Sequence, residues 1–299
     1  MKRRVAGRLW IMGFLLGLGV GAIAGAEPRP ELLWPEGAPD ENGLSGPERI
    51  GGCIGNISIA TLTVYPAPKE KATGAAVVVI PGGGYGVVCV PSEGMEAVKH
   101  LNARGITAVM LKYRLPNQHH LIPAKDARRA IRTTRSKAKE WGLDPKRVGV
   151  WGFSAGGHLA STVSTVFDEG DPESEDVIER ESSRPDFAIL FYAVISMKEE
   201  ITHKGSRRNL LGQEDLVERY SSELQVSPET PPCFLLHCSD DRVVPVENSL
   251  RFYQALVTNK VPAAFAIFEQ GGHGPNAFTK NPSWEGMFDE WLKKRGCLK

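Results

Sequence analysis

The sequence predicts an α/β fold built on a mostly parallel, doubly wound sheet with helices on both faces. Three observations carry that prediction. Short apolar runs recur along the chain, as in Ala75-Ala76-Val77-Val78-Val79-Ile80, and a run without alternation marks a strand buried on both faces. Helix-length segments separate these runs, and strands that alternate with helices form parallel sheets with right-handed crossovers. Finally, Gly152-Phe153-Ser154-Ala155-Gly156 joins a predicted strand at 147–151 to a small-residue run at 155–161 that reads as a helix packed tightly on a sheet. A Gly-x-Ser-x-Gly in that setting is a tight turn that lifts the serine hydroxyl above the sheet edge. Glycine on either side leaves room where a side chain would clash.

Taken in order, residues 27–56 are rich in Pro and Gly and read as an extended surface lead-in. Alternation predicts a strand at 57–65, followed by a turn at 66–71 and the buried strand at 75–80. That strand ends in Pro81-Gly82-Gly83-Gly84-Tyr85. A helix is expected over about 92–104 and a strand over 106–113. Pro123 opens a strongly basic amphipathic helix reaching Trp141-Gly142, and the strand before Ser154 comes next. Residues 168–184 carry eight acidic side chains and two arginines, which reads as a solvated surface loop rather than a metal or partner site. A strand is expected at 186–193. Residues 196–230 interrupt the rhythm and suggest a small lid-like insertion over the carboxyl edge of the sheet. A strand at 233–238, a helix at 246–259, a strand at 263–268 and a helix at 284–295 complete the pattern.

The first residues, Met1-Lys2-Arg3-Arg4, lead into an apolar run that ends at Ala24-Gly25-Ala26. A basic head, an apolar stretch and an A-x-A site fit a secretory signal peptide over 1–26, with an uncleaved membrane anchor as the alternative. Export to the periplasm or the exterior is therefore expected, with residues 27–299 as one α/β domain. Without 1–26 the formal charge moves from +1 to −3, because four basic side chains and no acidic one are lost. A mildly acidic chain offers no electrostatic footprint for nucleic acid. The five cysteines lack zinc-site spacing and are too few for a disulfide scaffold. Cys233 and Cys238 flank one predicted strand and stand too far apart to bridge. Cys53 and Cys89 are left as either a disulfide or two separate buried thiols.

The candidate chemistry starts from Ser154. A serine hydroxyl needs an imidazole to take its proton, and the imidazole needs a carboxylate to fix its tautomer. After such a serine the partners come in the order acid, then histidine, each just past a later strand. Asp240 and Asp241 follow the strand at 233–238, and His273 lies in the glycine-lined loop after the strand at 263–268. His158, within the helix after Ser154, reads as a structural hydrogen-bonder, and His119, His120 and His203 as loop residues at the surface, with the edge of a pocket as the alternative. The backbone N–H of Ala155 and those of the Gly82-Gly83-Gly84 run supply donors for an oxyanion. No Lys-Ser/Thr follows the glycines, so a nucleotide loop is unsupported.

With these residues in view, the chain resembles the acetyl xylan esterase-like carbohydrate esterases of the α/β-hydrolase superfamily, relatives of the hormone-sensitive-lipase-like esterases. The similar stretches are Pro81-Gly82-Gly83-Gly84-Tyr85-Gly86, Leu111-Lys112-Tyr113-Arg114-Leu115 and Gly152-Phe153-Ser154-Ala155-Gly156-Gly157-His158-Leu159-Ala160. To these are added Thr230-Pro231-Pro232, Asp241-Arg242-Val243-Val244-Pro245 and Gly271-Gly272-His273-Gly274. The resemblance covers nearly all of 30–295. It implies an α/β-hydrolase fold and a triad of Ser154, His273 and Asp241, choosing Asp241 over Asp240. It also implies an oxyanion hole of Gly83, Gly84 and Ala155, no metal or organic cofactor, and acetylated oligo- or polysaccharide as substrate. Pro81 stands where lipase-type relatives carry histidine, which favours the sugar-esterase branch. One departure is His273-Gly274-Pro275-Asn276, where the family pattern leads one to expect His-Gly-Phe-Gly; this leaves acyl and sugar preference open. The rival readings are a general short-chain carboxylesterase and a carbohydrate-binding protein on a hydrolase fold.

Overall fold

Every second residue of the strand at Ala76–Ile80 packs on the same face of the sheet: Val77 and Val79 join one core cluster, Val78 and Ile80 the other. This two-sided burial is what an unbroken apolar run calls for. A computed structural model describes residues 28–212 and 214–298; the leader expected at 1–26 lies outside them. The strands are β1 (Pro30–Leu32), β2 (Arg49–Ile50), β3 (Ile54–Gly55), β4 (Thr61–Tyr65), β5 (Ala76–Ile80) and β6 (Val87–Val88). They continue with β7 (Thr107–Lys112), β8 (Val148–Phe153), β9 (Ala188–Phe191), β10 (Cys233–Cys238) and β11 (Ala263–Phe268). The helices are α1 (Met95–Ala103), α2 (Leu121–Ser136), α3 (Ala138–Trp141), α4 (Ser154–Thr165), α5 (Lys204–Leu210), α6 (Glu247–Thr258), α7 (Asn276–Thr279) and α8 (Trp284–Lys294).

The main sheet has the order β1-β4-β7-β5-β8-β9-β10-β11. β1–β4 and β4–β7 pair antiparallel, and every later pair is parallel. Side chains of α2, α4 and α6 fill one face, including Ala127, Ile131, Leu159 and Phe252. Those of α1 and α8 fill the other, including Leu101, Trp284, Phe288 and Trp291. The chain thus has the α/β-hydrolase architecture, and the carboxyl ends of β5, β8, β10 and β11 gather the loops that carry the candidate residues.

Several boundaries differ from expectation for identifiable reasons. The strand expected at 57–65 is regular only from Thr61. Before it, Ile57 O is used by Leu115 N–H and Asn42 Nδ2, and Ala60 O by Leu33 N–H. The helix expected from about 92 begins as a π turn, Val90–Gly94, and becomes α-helical at Met95. The long basic helix starts at Leu121, two residues before Pro123, and breaks at Lys137 into α2 and α3; proline is tolerated in a first turn, where its missing N–H has no intrahelical partner anyway.

The acidic stretch 168–184 is not simply a solvated loop. Arg129 reaches Asp176 at 2.6 Å and Glu179 at 2.8 Å, and Arg132 pairs with Asp168 and Glu179. The basic face of α2 and the acid-rich segment therefore cover each other, although the sequence shows them as two separate charge runs. No group of three or more His, Cys, Asp or Glu that could hold a metal ion is present among the described residues. The 196–230 insertion supplies α5, and Asn209 Nδ2 donates to Gly84 O at 2.9 Å, so it lies over the glycine loop after β5.

Cys53 and Cys89 form a disulfide, while Cys233, Cys238 and Cys297 are free and buried. The bond joins the lead-in to the loop after β5, beside the β3–β6 pairing. Closing a loop of 36 residues restricts the unfolded chain, a constraint worth about 2–4 kcal/mol. A Cys53→Ala/Cys89→Ala variant is expected to lose about that much stability in urea unfolding; an unchanged midpoint would contradict the assignment.

Candidate active site

β8 is buried to its last residue, and α4 starts at Ser154 without a linker. The backbone must therefore turn within one residue, and Ser154 does so at φ +50°. A non-glycine residue there costs about 1–3 kcal/mol, which the surrounding packing must offset. The glycines on either side permit the turn. A Cβ on Gly156 would lie 2.1 Å from Ile80 O, and one on Gly152 would lie 2.4 Å from Gly156 O. Val194 N–H donates to Ser154 O at 3.0 Å and ties the turn to the loop after β9.

Above this turn three predicted residues meet. Ser154 Oγ–H donates to His273 Nε2 at 2.9 Å, and His273 Nδ1–H donates to Asp241 Oδ2 at 2.7 Å. A carboxylate only accepts, so the Asp241 contact leaves Nε2 free to receive the serine proton. Asp241 Oδ1 takes the N–H groups of Val243 and Val244, both at 2.9 Å. Its Oδ2 also lies 3.2 Å from Nε2 of His237. His237 is fully buried between Val244 O and Ser249 Oγ. Because Val244 O can only accept, the proton of His237 sits on Nε2 and is shared with Asp241. Burial opposes the charge on Asp241, but the hydrogen bonds from His237 and His273 outweigh it and hold the carboxyl well below the usual carboxylate range.

Asp240 has a different task. Its carboxylate accepts the N–H groups of Gly271 and Gly272, at 3.2 and 2.7 Å, and so anchors the loop that carries His273. The departure at Pro275-Asn276 opens α7, with Pro275 as the residue before its first turn.

The glycine loop approaches Ser154 from β5. A Cβ on Gly82 would lie 2.8 Å from Ser154 Cβ. Gly82 N–H is engaged by the buried Glu93 carboxylate at 2.6 Å. Among the described residues the N–H groups of Gly83 and Gly84 donate to no other group. Gly83 sits at φ +124°, where a Cβ would strike Val87 O at 2.3 Å, so only glycine fits. Ala155 N–H belongs to the first turn of α4, whose N–H groups have no intrahelical partner. Of the two readings of His203, surface or pocket edge, the second fits: its half-buried ring lies 3.4 Å from the Cβ position of Gly84. Its Nδ1 caps α5 by accepting Ser206 N–H at 3.2 Å. Nothing in the sequence singles out His237 or Glu93: His237 lies inside a strand whose pattern reports only burial, and Glu93 occupies a helix start where acids are common on dipole grounds.

The profile of the BD-FAE family matches residues 62–256, which span the glycine loop, Ser154 and Asp241. The chain belongs to the BD-FAE family. This BD-FAE chain is similar to an acetylxylan esterase of Xylanibacter ruminicola, 39% identical over 212 residues, covering 69% of this chain and 42% of the relative. It is also 39% identical over 206 residues to endo-1,4-beta-xylanase B of Butyrivibrio fibrisolvens, covering 66% of this chain and 32% of that protein. It thus spans less than half the length of either relative. Among solved structures it is similar to an acetyl ester-xyloside bifunctional hydrolase from Caldicellulosiruptor lactoaceticus, with TM-score 0.79 and 38% identity over 92% of this chain and all of that one.

In this BD-FAE chain His158 is structural, as expected. Its Nε2–H donates to Tyr220 O at 2.7 Å, and Nδ1 accepts from Tyr85 Oη–H at 2.8 Å. Burial lowers its pKa to about 4, against the opposing pull of the Tyr220 carbonyl. In the unfolded chain it titrates near 6.5. Between those values the unfolded form binds one more proton, so stability falls as pH drops from about 6.5 towards 4, by about 3 kcal/mol in all. Urea unfolding at neutral pH and at about pH 4 should show that loss reduced by a similar amount in His158→Gln. Equal acid losses in both proteins would contradict the assignment.

Proposed function

We propose that this chain is a serine esterase that removes acetyl groups from xylan-type or other acetylated carbohydrates. The observation that carries the proposal is the continuous relay Ser154–His273–Asp241 beside two uncommitted glycine N–H groups. Ser154 Oγ attacks the acetyl carbonyl carbon while its proton passes to His273 Nε2. The oxyanion that forms is received by the N–H groups of Gly83, Gly84 and Ala155, donors fixed before the charge develops. His273 then gives its proton to the departing sugar oxygen, leaving acetate esterified to Ser154. Water enters, His273 takes its proton, and a second oxyanion collapses to free acetate and restored serine. Asp241 holds the imidazole in the required tautomer and balances its positive charge throughout.

Preference for carbohydrate esters rests on the similarity to the Xylanibacter acetylxylan esterase and the Caldicellulosiruptor acetyl ester-xyloside hydrolase. Work outside the cytoplasm is proposed from the leader expected at 1–26, since polymeric xylan does not enter cells.

The test is acetate release from acetylated xylan beside hydrolysis of p-nitrophenyl acetate. Ser154→Ala is expected to lower kcat/KM by about 10⁴-fold or more on both. Activity confined to the small ester would move the assignment to a general short-chain carboxylesterase. Folded wild-type protein inert on both would refute the esterase reading.

A further inference from the structure

Glu93 is a buried carboxylate, 6% exposed, that forms no ion pair with Lys or Arg among the described residues. Burying such a group without a cation is costly, and burial pushes its pKa up. Stability alone gives no reason to keep it there, whereas its contacts join two parts of the site. Oε2 accepts Gly82 N–H at 2.6 Å, and Oε1 accepts the Tyr192 hydroxyl at 3.2 Å.

The first contact fixes the glycine loop. Gly82 is gripped twice, because Cys89 N–H also donates to Gly82 O at 3.0 Å. The Glu93 bond fixes the peptide before Gly82 and the Cys89 bond the peptide after it, which carries Gly83 N–H. Gly83 O accepts Gly86 and Val87 N–H at 3.1 and 3.2 Å, which fixes the peptide of Gly84 N–H, and the N–H groups of Gly83 and Gly84 stay free of protein acceptors. The second contact reaches the histidine. The Tyr192 ring meets His273 edge-on with centroids 4.9 Å apart, and its backbone sits at φ +36°, held by a 2.7 Å bond from Tyr192 N–H to Leu236 O. The carboxylate has little freedom to retreat. A Cβ on the adjacent Gly94 would strike Met110 Cε at 2.6 Å, so the π turn at Val90–Gly94 is packed directly on β7.

We propose that Glu93 is a positioning residue whose carboxylate aims the Gly83 and Gly84 N–H groups at the developing oxyanion through Gly82 and fixes the His273 ring through Tyr192. This deepens the esterase reading and rests on it. The role depends on reach, so a side chain of equal length that still accepts a hydrogen bond preserves it, and a shorter one with the same charge does not.

Glu93→Gln and Glu93→Asp separate the two properties, measured against wild type and Ser154→Ala on p-nitrophenyl acetate with rates normalised to titrated active sites. Glu93→Asp is expected to lower kcat about 10²-fold, the typical effect of losing an oxyanion donor, with KM within about threefold of wild type. Binding of an alkyl boronic acid, which forms a tetrahedral adduct on serine, should weaken in the same proportion. Glu93→Gln should stay within about fivefold of wild type in both readouts. An Asp variant as active as wild type, or a Gln variant no better than Asp, would overturn the proposal. A change confined to the unfolding midpoint, with kcat and boronate affinity intact, would also overturn it. If wild type fails to hydrolyse the ester, or Ser154→Ala hydrolyses it equally well, the esterase reading itself fails.

Discussion

At the end of β8 the chain has to place a serine in left-handed backbone and begin a helix in the same residue. Most of the site follows from that constraint. The turn exists only because Gly152 and Gly156 let backbone atoms approach to distances a Cβ would forbid, and the atoms they approach include the carbonyls of Ile80 and Pro81 at the end of β5. The glycine loop is thereby brought against Ser154 by the same close packing that permits the turn. Strain at one residue is held by a sheet whose central strands are buried on both faces.

The two remaining functional loops are set by polar contacts rather than by apolar packing. Neighbouring aspartates divide the work: Asp241 receives the imidazole and two backbone N–H groups, while Asp240 caps the glycines that carry the imidazole. Behind them the hydrogen-bonded chain continues through His237 to Ser249, so the carboxylate that orients His273 is itself oriented. Desolvation penalises charge at Asp241, and enough donors are aimed at it to keep it ionised. The glycine loop receives comparable support from Cys89 and Glu93, in one segment after β6, and from Asn209 of α5, more than 100 residues later.

Much of this was legible in the sequence, because the features concerned are local. The strands at Cys233–Cys238 and Ala263–Phe268 appear with their expected bounds, since an apolar run ended by turn residues defines both limits. Ser154, Asp241 and His273 could be named from order and position at strand ends, and the geometry brings them into one relay. What could not be read depends on long-range pairing. The expectation of a solvated acidic loop missed that its partner is the basic face of α2, some 40 residues earlier. Glu93 at a helix start and His203 before a short helix look ordinary in sequence, because nothing local reveals that the loop after β5 passes beside them. The choice between thiols and a disulfide for Cys53 and Cys89 was likewise undecidable until the lead-in was seen to fold back on that loop.

The central claim is that acyl transfer runs through Ser154 with His273 as its base. Incubation with an alkyl phosphonate ester that modifies activated serines, followed by peptide mass spectrometry, addresses it most directly. The account predicts one stoichiometric adduct, on Ser154, whose formation tracks the loss of esterase activity and fails in His273→Ala. Full inactivation with the adduct on another residue, or undiminished labelling of Ser154 in His273→Ala, would contradict it.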